Sequence, residues 1–237
     1  MLAGLAATGA AALSGCAAPV ERLPPEPQPA LTDFPFRPDM PPEPLGPFDP
    51  SVIYSAYDDG RFIVPAIPWQ KVPAEFRRQV VINTTGEPAG TLVVDTTAHL
   101  LYWTTPDGNA IRYGVGLGRE GFAWQGSGDV RRKAQWPSWH PPDEMIARQP
   151  ELEKYRTTFD PVTQTWVGGM EGGLNNPLGA RALYIYQGEV DTLYRLHGSP
   201  EWSSIGKSVS SGCVRFINQD IIDLYDRVPS GTPIVVR

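Results

Sequence analysis

The chain has 237 residues, 41% of them hydrophobic, enough for one domain with its own core plus appendages, whereas two domains would be crowded. A net charge of -6 and a pI near 5.1 argue against a nucleic-acid partner, which calls for a basic surface. The 26 prolines and 24 glycines favour turns and short strands over long helices, so a mainly β protein is expected.

Residues 2–13 form an apolar run of signal-peptide length, too short to span a bilayer. Leu13-Ser14-Gly15-Cys16 follows at once and resembles the lipobox of bacterial lipoproteins, in which cleavage before the cysteine leaves an N-terminal Cys that carries lipid. Cys16 is then a lipidation site; the alternative is an ordinary small-residue cleavage site releasing a soluble periplasmic protein. Export is expected either way. No Lys or Arg precedes Arg22, although export signals open on basic residues, so a start upstream of Met1 is expected. Residues 1–15 are read as a truncated lipoprotein signal segment and 16–50 as a Pro-rich tether, extended and poor in side chains that could form a core. Residues 51–77 carry Tyr54, Tyr57, Phe62, Ile63 and Trp69 and read as a lead-in that packs on a domain spanning 78–237.

From Gln79 the pattern turns to short β-like runs: 79–83, 91–97 and 99–104. Thr105-Pro106-Asp107-Gly108-Asn109 is a hairpin signal, because Asp-Gly supplies the positive φ of a tight turn, and 110–117 is the return strand. Residues 119–178 are less regular. Within them 142–154 reads as a helix that starts at a proline, and Gly168 to Gly173 reads as a flexible loop on the substrate side. Residues 182–186 and 192–196 read as strands. Asn218 is taken as the N-cap of a helix through Arg227 with Ile221, Ile222, Leu224, Tyr225 and Val228 on its apolar side, and 234–236 is a last strand.

The chemistry concentrates in residues 197–215, where His197 and Cys213 flank a loop rich in Gly and Ser. Acyl transfer by cysteine needs a thiolate, and an ordinary thiol is only a few per cent ionised at neutral pH. An imidazole nearby supplies the base. His197 ends a strand, Gly212 gives the turn before Cys213 its freedom, and successive N–H groups at Gly212 and Cys213 suit an oxyanion hole. Cys16 and Cys213 are the two cysteines; a disulfide between them needs an oxidising compartment and sulfurs that meet, and lipidation would remove Cys16 from it. His99, His140 and His197 are too widely spaced for a metal site, so no metal and no cofactor is expected.

The string closely resembles the catalytic motif of the L,D-transpeptidase (YkuD) family. In that family a His-Gly-Thr precedes a loop ending in Ser-(His or Ser)-Gly-Cys-(Ile or Val)-Arg. Trp202, Ile205-Gly206-Lys207 and Val209-Ser210 match residues that recur between the two, and Asn176 to Leu183 resembles the approach to the site. The resemblance implies a mainly β, mixed β-sandwich-like fold with a late α-helix packed near the catalytic loop. It implies a Cys213 nucleophile, a His197 base and a backbone carbonyl of Gly198 that orients the imidazole. Ser211, Gly212 and Arg215 are implied as supporting residues, with Arg215 either raising the local potential near the thiolate or bracing the turn.

The partners implied are peptidoglycan stem peptides, donor and acceptor, with an outer-membrane protein as another acceptor. The place implied is the periplasmic side of the cell envelope, on a lipid anchor. Ser199-Pro200-Glu201 departs from the usual Thr-Asn-Glu-Pro and reshapes the start of the loop, and Ser211 stands where one branch carries a second His. An L,D-specific cysteine hydrolase would share every one of these residues, differing only in using water as acceptor. A catalytically inactive peptidoglycan-binding lipoprotein is the reading outside catalysis. Sortases need a longer interval and a Thr-Leu-x-Thr-Cys context, and papain-like peptidases place Cys before His.

Overall fold

A computed structural model describes residues 48–118, 125–210 and 213–237. The chain divides into two units, Met1–Asp39 and Met40–Arg237, and every described residue belongs to the second. Cys16, Ser211 and Gly212 lie outside the described residues.

In chain order, α1 (Pro50–Ile53), β1 (Tyr57–Asp58) and β2 (Ile63–Val64) belong to the lead-in. They are followed by β3 (Gln79–Ile82), β4 (Leu92–Asp95), β5 (Leu100–Thr104), β6 (Asn109–Gly114), β7 (Leu117–Gly118) and β8 (Gly126–Gln135). An excursion holds α2 (Asp143–Arg148) and the hairpin of β9 (Thr158–Asp160) and β10 (Thr165–Val167). Then come β11 (Arg181–Gln187), β12 (Val190–Ser199), β13 (Ser208–Ser210), β14 (Val214–Ile217), α3 (Asn218–Arg227) and β15 (Thr232–Val236). The protein is mainly β, as expected. Nine strands form one mixed sheet in the order β14-β12-β11-β8-β15-β4-β5-β6-β3. The β12–β14 and β15–β4 pairs are parallel and its other pairs antiparallel.

The sheet bends until regions near its two ends meet. Just past β6, Gly116 exchanges both backbone hydrogen bonds with Arg215 of β14, at 2.9 and 2.8 Å. The loop before β14 continues the seam, with Leu117 N–H donating to the Lys207 carbonyl and β13 pairing parallel with β7. Inside the bend, Leu92, Leu101, Ile111 and Tyr113 pack in one cluster with Leu183, Leu196, Phe216 and the α3 residues Ile221 and Leu224. Burying each aliphatic side chain of this kind contributes about 1.5–3 kcal/mol before the entropy of ordering it. The hairpin read at 105–109 is present, with Gly108 at φ 79° and the Asp107 carboxylate accepting the Asn109 N–H.

Other elements differ from expectation. The helix read over 142–154 is broken: α2 ends at Arg148 and a 3-10 turn runs Pro150–Tyr155. Pro150 has no N–H to continue the α-ladder, and it disfavours helical dihedrals at Gln149, which sits at φ -135° and ψ 81°. Asn218 is the first residue of α3, not its cap; its Oδ1 accepts the Ala180 N–H at 2.9 Å. The loop read as flexible at 168–173 is pinned, because Met170 exchanges backbone hydrogen bonds with Trp139 at 2.8 Å. The ten-residue β8, which lies inside the sheet between β11 and β15, was not anticipated.

The lead-in is stapled to the sheet and α3. Tyr54, 1% exposed, donates its hydroxyl to Asp220 at 3.1 Å and accepts the Arg78 N–H at 2.8 Å. Asp59 forms a buried ion pair with Arg181 at 2.5 Å and accepts the Trp136 indole N–H. Gln219 donates to the carbonyls of Ser55 and Pro65.

Candidate active site

The site grows out of the second half of β12. Its first half is distorted by its own side chains: the Asp191 carboxylate accepts the Leu193 N–H, and the Thr192 hydroxyl donates to the Ile185 carbonyl while accepting the Tyr194 N–H. Leu193 is left at φ 63° and exposed, an irregularity of the kind that re-aims the strand beyond it. From Leu196 to Ser199 the strand is regular and buried.

Strand register then lays two rows of side chains across one face. The first row is Ala134 of β8, Ala182 of β11, His197 of β12 and Arg215 of β14. The second is Arg132, Tyr184 and Arg195, with Cys213 level with Arg195 one step before the β12–β14 pairing begins at Leu196 and Val214. Residues directly opposite on paired strands share a face. The histidine on β12 and the cysteine directly before β14, separated by fifteen intervening residues, therefore share one face.

His197 is 4% exposed, and its Nδ1 lies 2.6 Å from the Gly198 carbonyl oxygen. A carbonyl can only accept, so this contact assigns the proton to Nδ1 and leaves the Nε2 lone pair as the basic site. Burial lowers the imidazole pKa to about 4, with Arg215 and Arg195 adding to the fall and the Gly198 carbonyl opposing it. At Cys213, which is half-buried, burial pushes the thiol up, while the Arg195 charge, the Arg195 backbone N–H and the Arg215 charge pull it down. Near neutral pH both groups rest in their neutral forms, and charge appears only when the proton moves.

Gly198 is required where it stands. A Cβ there would lie 2.2 Å from Asn218 Oδ1 and 3.0 Å from Ile221, so any side chain would push α3 off the strand that carries His197. Arg215 braces the start of the loop: its guanidinium reaches Glu201 at 3.3 Å, and the Glu201 N–H is in turn held by the Ser199 hydroxyl at 3.0 Å. The altered Ser199-Pro200-Glu201 segment thus has its own stabilising bonds. Of the other histidines, His99 bonds Ser208 at 3.0 Å and His140 bonds Thr157 at 2.7 Å. Among the described residues no group of three or more His, Cys, Asp or Glu could hold a metal. A pocket of about 380 Å³ lies between the lead-in and the loop, lined among others by Lys71, Phe76, Trp202 and Lys207; its wall includes neither Cys213 nor His197.

Several residues of the site escaped the sequence reading. Arg132, Tyr184, Asp191 and Arg195 lie in no motif and meet only through register. Asn176, inside the quoted approach, is 1% exposed and donates its amide to the carbonyls of Pro137, Met170 and Glu171 while accepting the Leu178 N–H. It organises the excursion that precedes β11.

The model of the L,D-transpeptidase catalytic domain, YkuD, matches residues 89–236. The chain is 31% identical over 150 residues to the probable L,D-transpeptidase ErfK/SrfK of Escherichia coli strain K12, covering 61% of this chain and 43% of that protein. It therefore spans less than half the length of that relative. It is 27% identical over 184 residues to a putative L,D-transpeptidase of Fuscovulum blasticum from the ATP synthase subunits region, covering 73% of this chain and 86% of that one. A crystal structure of a probable carnitine operon oxidoreductase from Brucella melitensis is 40% identical, covering 72% of this chain and 99% of that chain at a TM-score of 0.46. The name of that protein denotes a chemistry different from that of the two transpeptidase relatives.

Proposed function

Because the chain belongs to the L,D-transpeptidase catalytic domain family, YkuD, we propose that it is a peptidoglycan L,D-transpeptidase working through a Cys213 thioester. The observation that carries this reading is the fixed tautomer of His197, whose Nε2 is left basic on the sheet face that also bears Cys213. The Cys213 sulfur attacks the carbonyl of an L,D peptide bond in a tetrapeptide stem, and His197 Nε2 takes the thiol proton. The S–C bond forms, the C–N bond breaks, and the imidazolium returns its proton to the departing D-Ala amine. An amine of a second stem or of an envelope protein then attacks the thioester. The new amide forms, the C–S bond breaks, and the thiol recovers a proton. Backbone N–H groups at Gly212 and Cys213 are assigned here to the oxyanion, with Ser211 as a supporting residue. The signal-like segment before Cys16 supports a lipid anchor there and action on the periplasmic side of the envelope.

Intact-mass measurement of the chain with a carbapenem tests the nucleophile. One stable adduct is expected on the parent, none on Cys213→Ala, and one formed at least about 10²-fold more slowly on His197→Ala. In chain produced without lipidation, the Cys16 thiol remains in the Cys213→Ala variant and controls for adventitious reaction. An unmodified, folded parent protein would sink the reading. With a tetrapeptide donor and an acceptor amine, a cross-linked product is expected; tripeptide and D-Ala alone would assign water as the acceptor.

A further inference from the structure

The row that ends at Cys213 holds two cations and an aromatic ring. The guanidiniums of Arg132 and Arg195 lie 4.3 and 4.4 Å from the centroid of the Tyr184 ring, which is 6% exposed. Arg195 is further clamped by a two-pronged bond to Asp191 at 2.7 and 2.8 Å and by a bond to the Tyr194 carbonyl at 2.9 Å. A guanidinium fixed by a carboxylate fork and a ring face has few rotamers left, so its charge has a defined place. It lies on the sheet face that carries Cys213, since Arg195 directly precedes Leu196 and Cys213 directly precedes Val214, the pair at which the β12–β14 register begins. Its backbone N–H hydrogen-bonds the sulfur as well. Asp191, four residues earlier on the same strand, is 31% exposed, so solvent weakens its counter-charge.

We propose that Arg195 is a positioning residue for the Cys213 thiolate, its guanidinium held between Asp191 and the Tyr184 ring so that its charge sets how readily the thiol ionises. This rests on the transpeptidase reading only in making that thiol the nucleophile. The other ionisable groups around the sulfur are His197 on β12, Arg215 on β14 with its partner Glu201 from the loop, Tyr184 on β11 and Arg132 on β8. His99, bonded to Ser208, and Lys207 lie along the β7–β13 side. Arg195 acts on the sulfur through both charge and backbone N–H, whereas Arg215 acts through charge alone; both cations also act on His197.

The test is the pH dependence of iodoacetamide alkylation, followed on the Cys213 peptide of the full chain by mass spectrometry, without substrate. Arg195→Gln should raise the midpoint by about one pH unit, equivalent to roughly tenfold slower alkylation at pH 7. Arg195→Lys should restore only part of the shift, because the charge is kept while the fork and the ring stacking that place it are lost. Asp191→Asn should move the midpoint the opposite way. A purely structural role for Arg195 would lower the melting temperature and leave the midpoints in place. A folded Arg195→Gln with the parental midpoint overturns the proposal. If that variant does not fold, an Asp191→Asn midpoint that fails to fall overturns it equally. Carbapenem acylation of the parent is measured alongside. A midpoint shift in a protein that carbapenem does not acylate would refute the transpeptidase reading and leave the role of Arg195 standing.

Discussion

Two clusters of buried ionisable groups flank the β12–β14–α3 unit, and burial acts on them with opposite results. At the first turns of α3, Arg78 pairs with Asp223 at 2.7 Å and lies 3.5 Å from Asp220, Arg227 bonds Asp223, and Tyr54 and Tyr113 donate to the two carboxylates. On the other face of β12, the cations Arg195 and Arg215 flank the thiol and the imidazole, while their carboxylate partners Asp191 and Glu201 sit at the rim, 31% and 69% exposed. In the first cluster Arg227 and Arg78 hold the Asp223 carboxyl below its ordinary value despite burial, so charge persists there in the interior, while burial pushes the neighbouring Asp220 up. In the second, burial favours the neutral thiol and imidazole, which keeps a proton ready to move. One arrangement stores connectivity and the other stores reactivity.

The largest effect should come from Arg78→Met, which strips the first cluster of its central cation. Removing one partner of a buried ionic network costs about 3–5 kcal/mol, read as a fall in the midpoint of chemical unfolding. Below its melting temperature the variant should still form the carbapenem adduct. Loss of the adduct in folded protein would show that the two clusters are coupled.

The next effect is on the pH dependence of stability. Burial pushes the Asp220 carboxyl up to about 7, with Asp223 adding to the rise and Arg78 and Tyr54 opposing it. The native state then holds a proton that the unfolded chain has released above its ordinary carboxylate pKa, so stability declines as pH rises from near 4 through about 7. His197 contributes with the opposite sign, because its pKa is lowered to about 4: the unfolded chain binds the extra proton, and stability increases as pH rises from about 4 through 6.5. Melting curves of the parent and Asp220→Asn from pH 5 to 8 separate the two. The variant should lack the decline, and identical slopes would show that Asp220 does not titrate in this range.

A smaller effect concerns the acid side of catalysis. Since His197 stays neutral down to about pH 4, carbapenem acylation should hold its acid limb near that value. A limb centred near 6.5 would mean that water reaches the ring and burial does not govern it.

Much of this was legible in the sequence, but unevenly. Alternation and turn residues predicted the strands from Leu92 to Gly114, because their apolar residues face one core. The β8 strand hid because Asp129, Arg131, Arg132 and Lys133 make it read as a solvated loop. Its charges find partners after folding: Lys133 donates to the Tyr225 and Val228 carbonyls near the end of α3, and Arg132 lies over Tyr184. His197 and Cys213 were visible because one short loop joins them. Arg132, Tyr184 and Arg195 were not, since four strands separated in the chain have to be set in register before those residues line up with the sulfur.

The smallest effect tests whether rim carboxylates matter at all. Glu201 bonds Arg215 at 3.3 Å with 69% of its side chain exposed, so the pair contributes at most about 1 kcal/mol and salt screens it. Glu201→Gln should leave the melting temperature nearly unchanged and lower the Cys213 alkylation midpoint by a few tenths of a unit or less, on the order of what an exposed pair allows. Asp191 grips its arginine with two short bonds and is the less exposed carboxylate, so Asp191→Asn should move the midpoint further in the same direction. If Glu201→Gln moved it more, the charge that governs the thiol would be Arg215, and the loop rather than the distorted start of β12 would be the element that tunes the nucleophile.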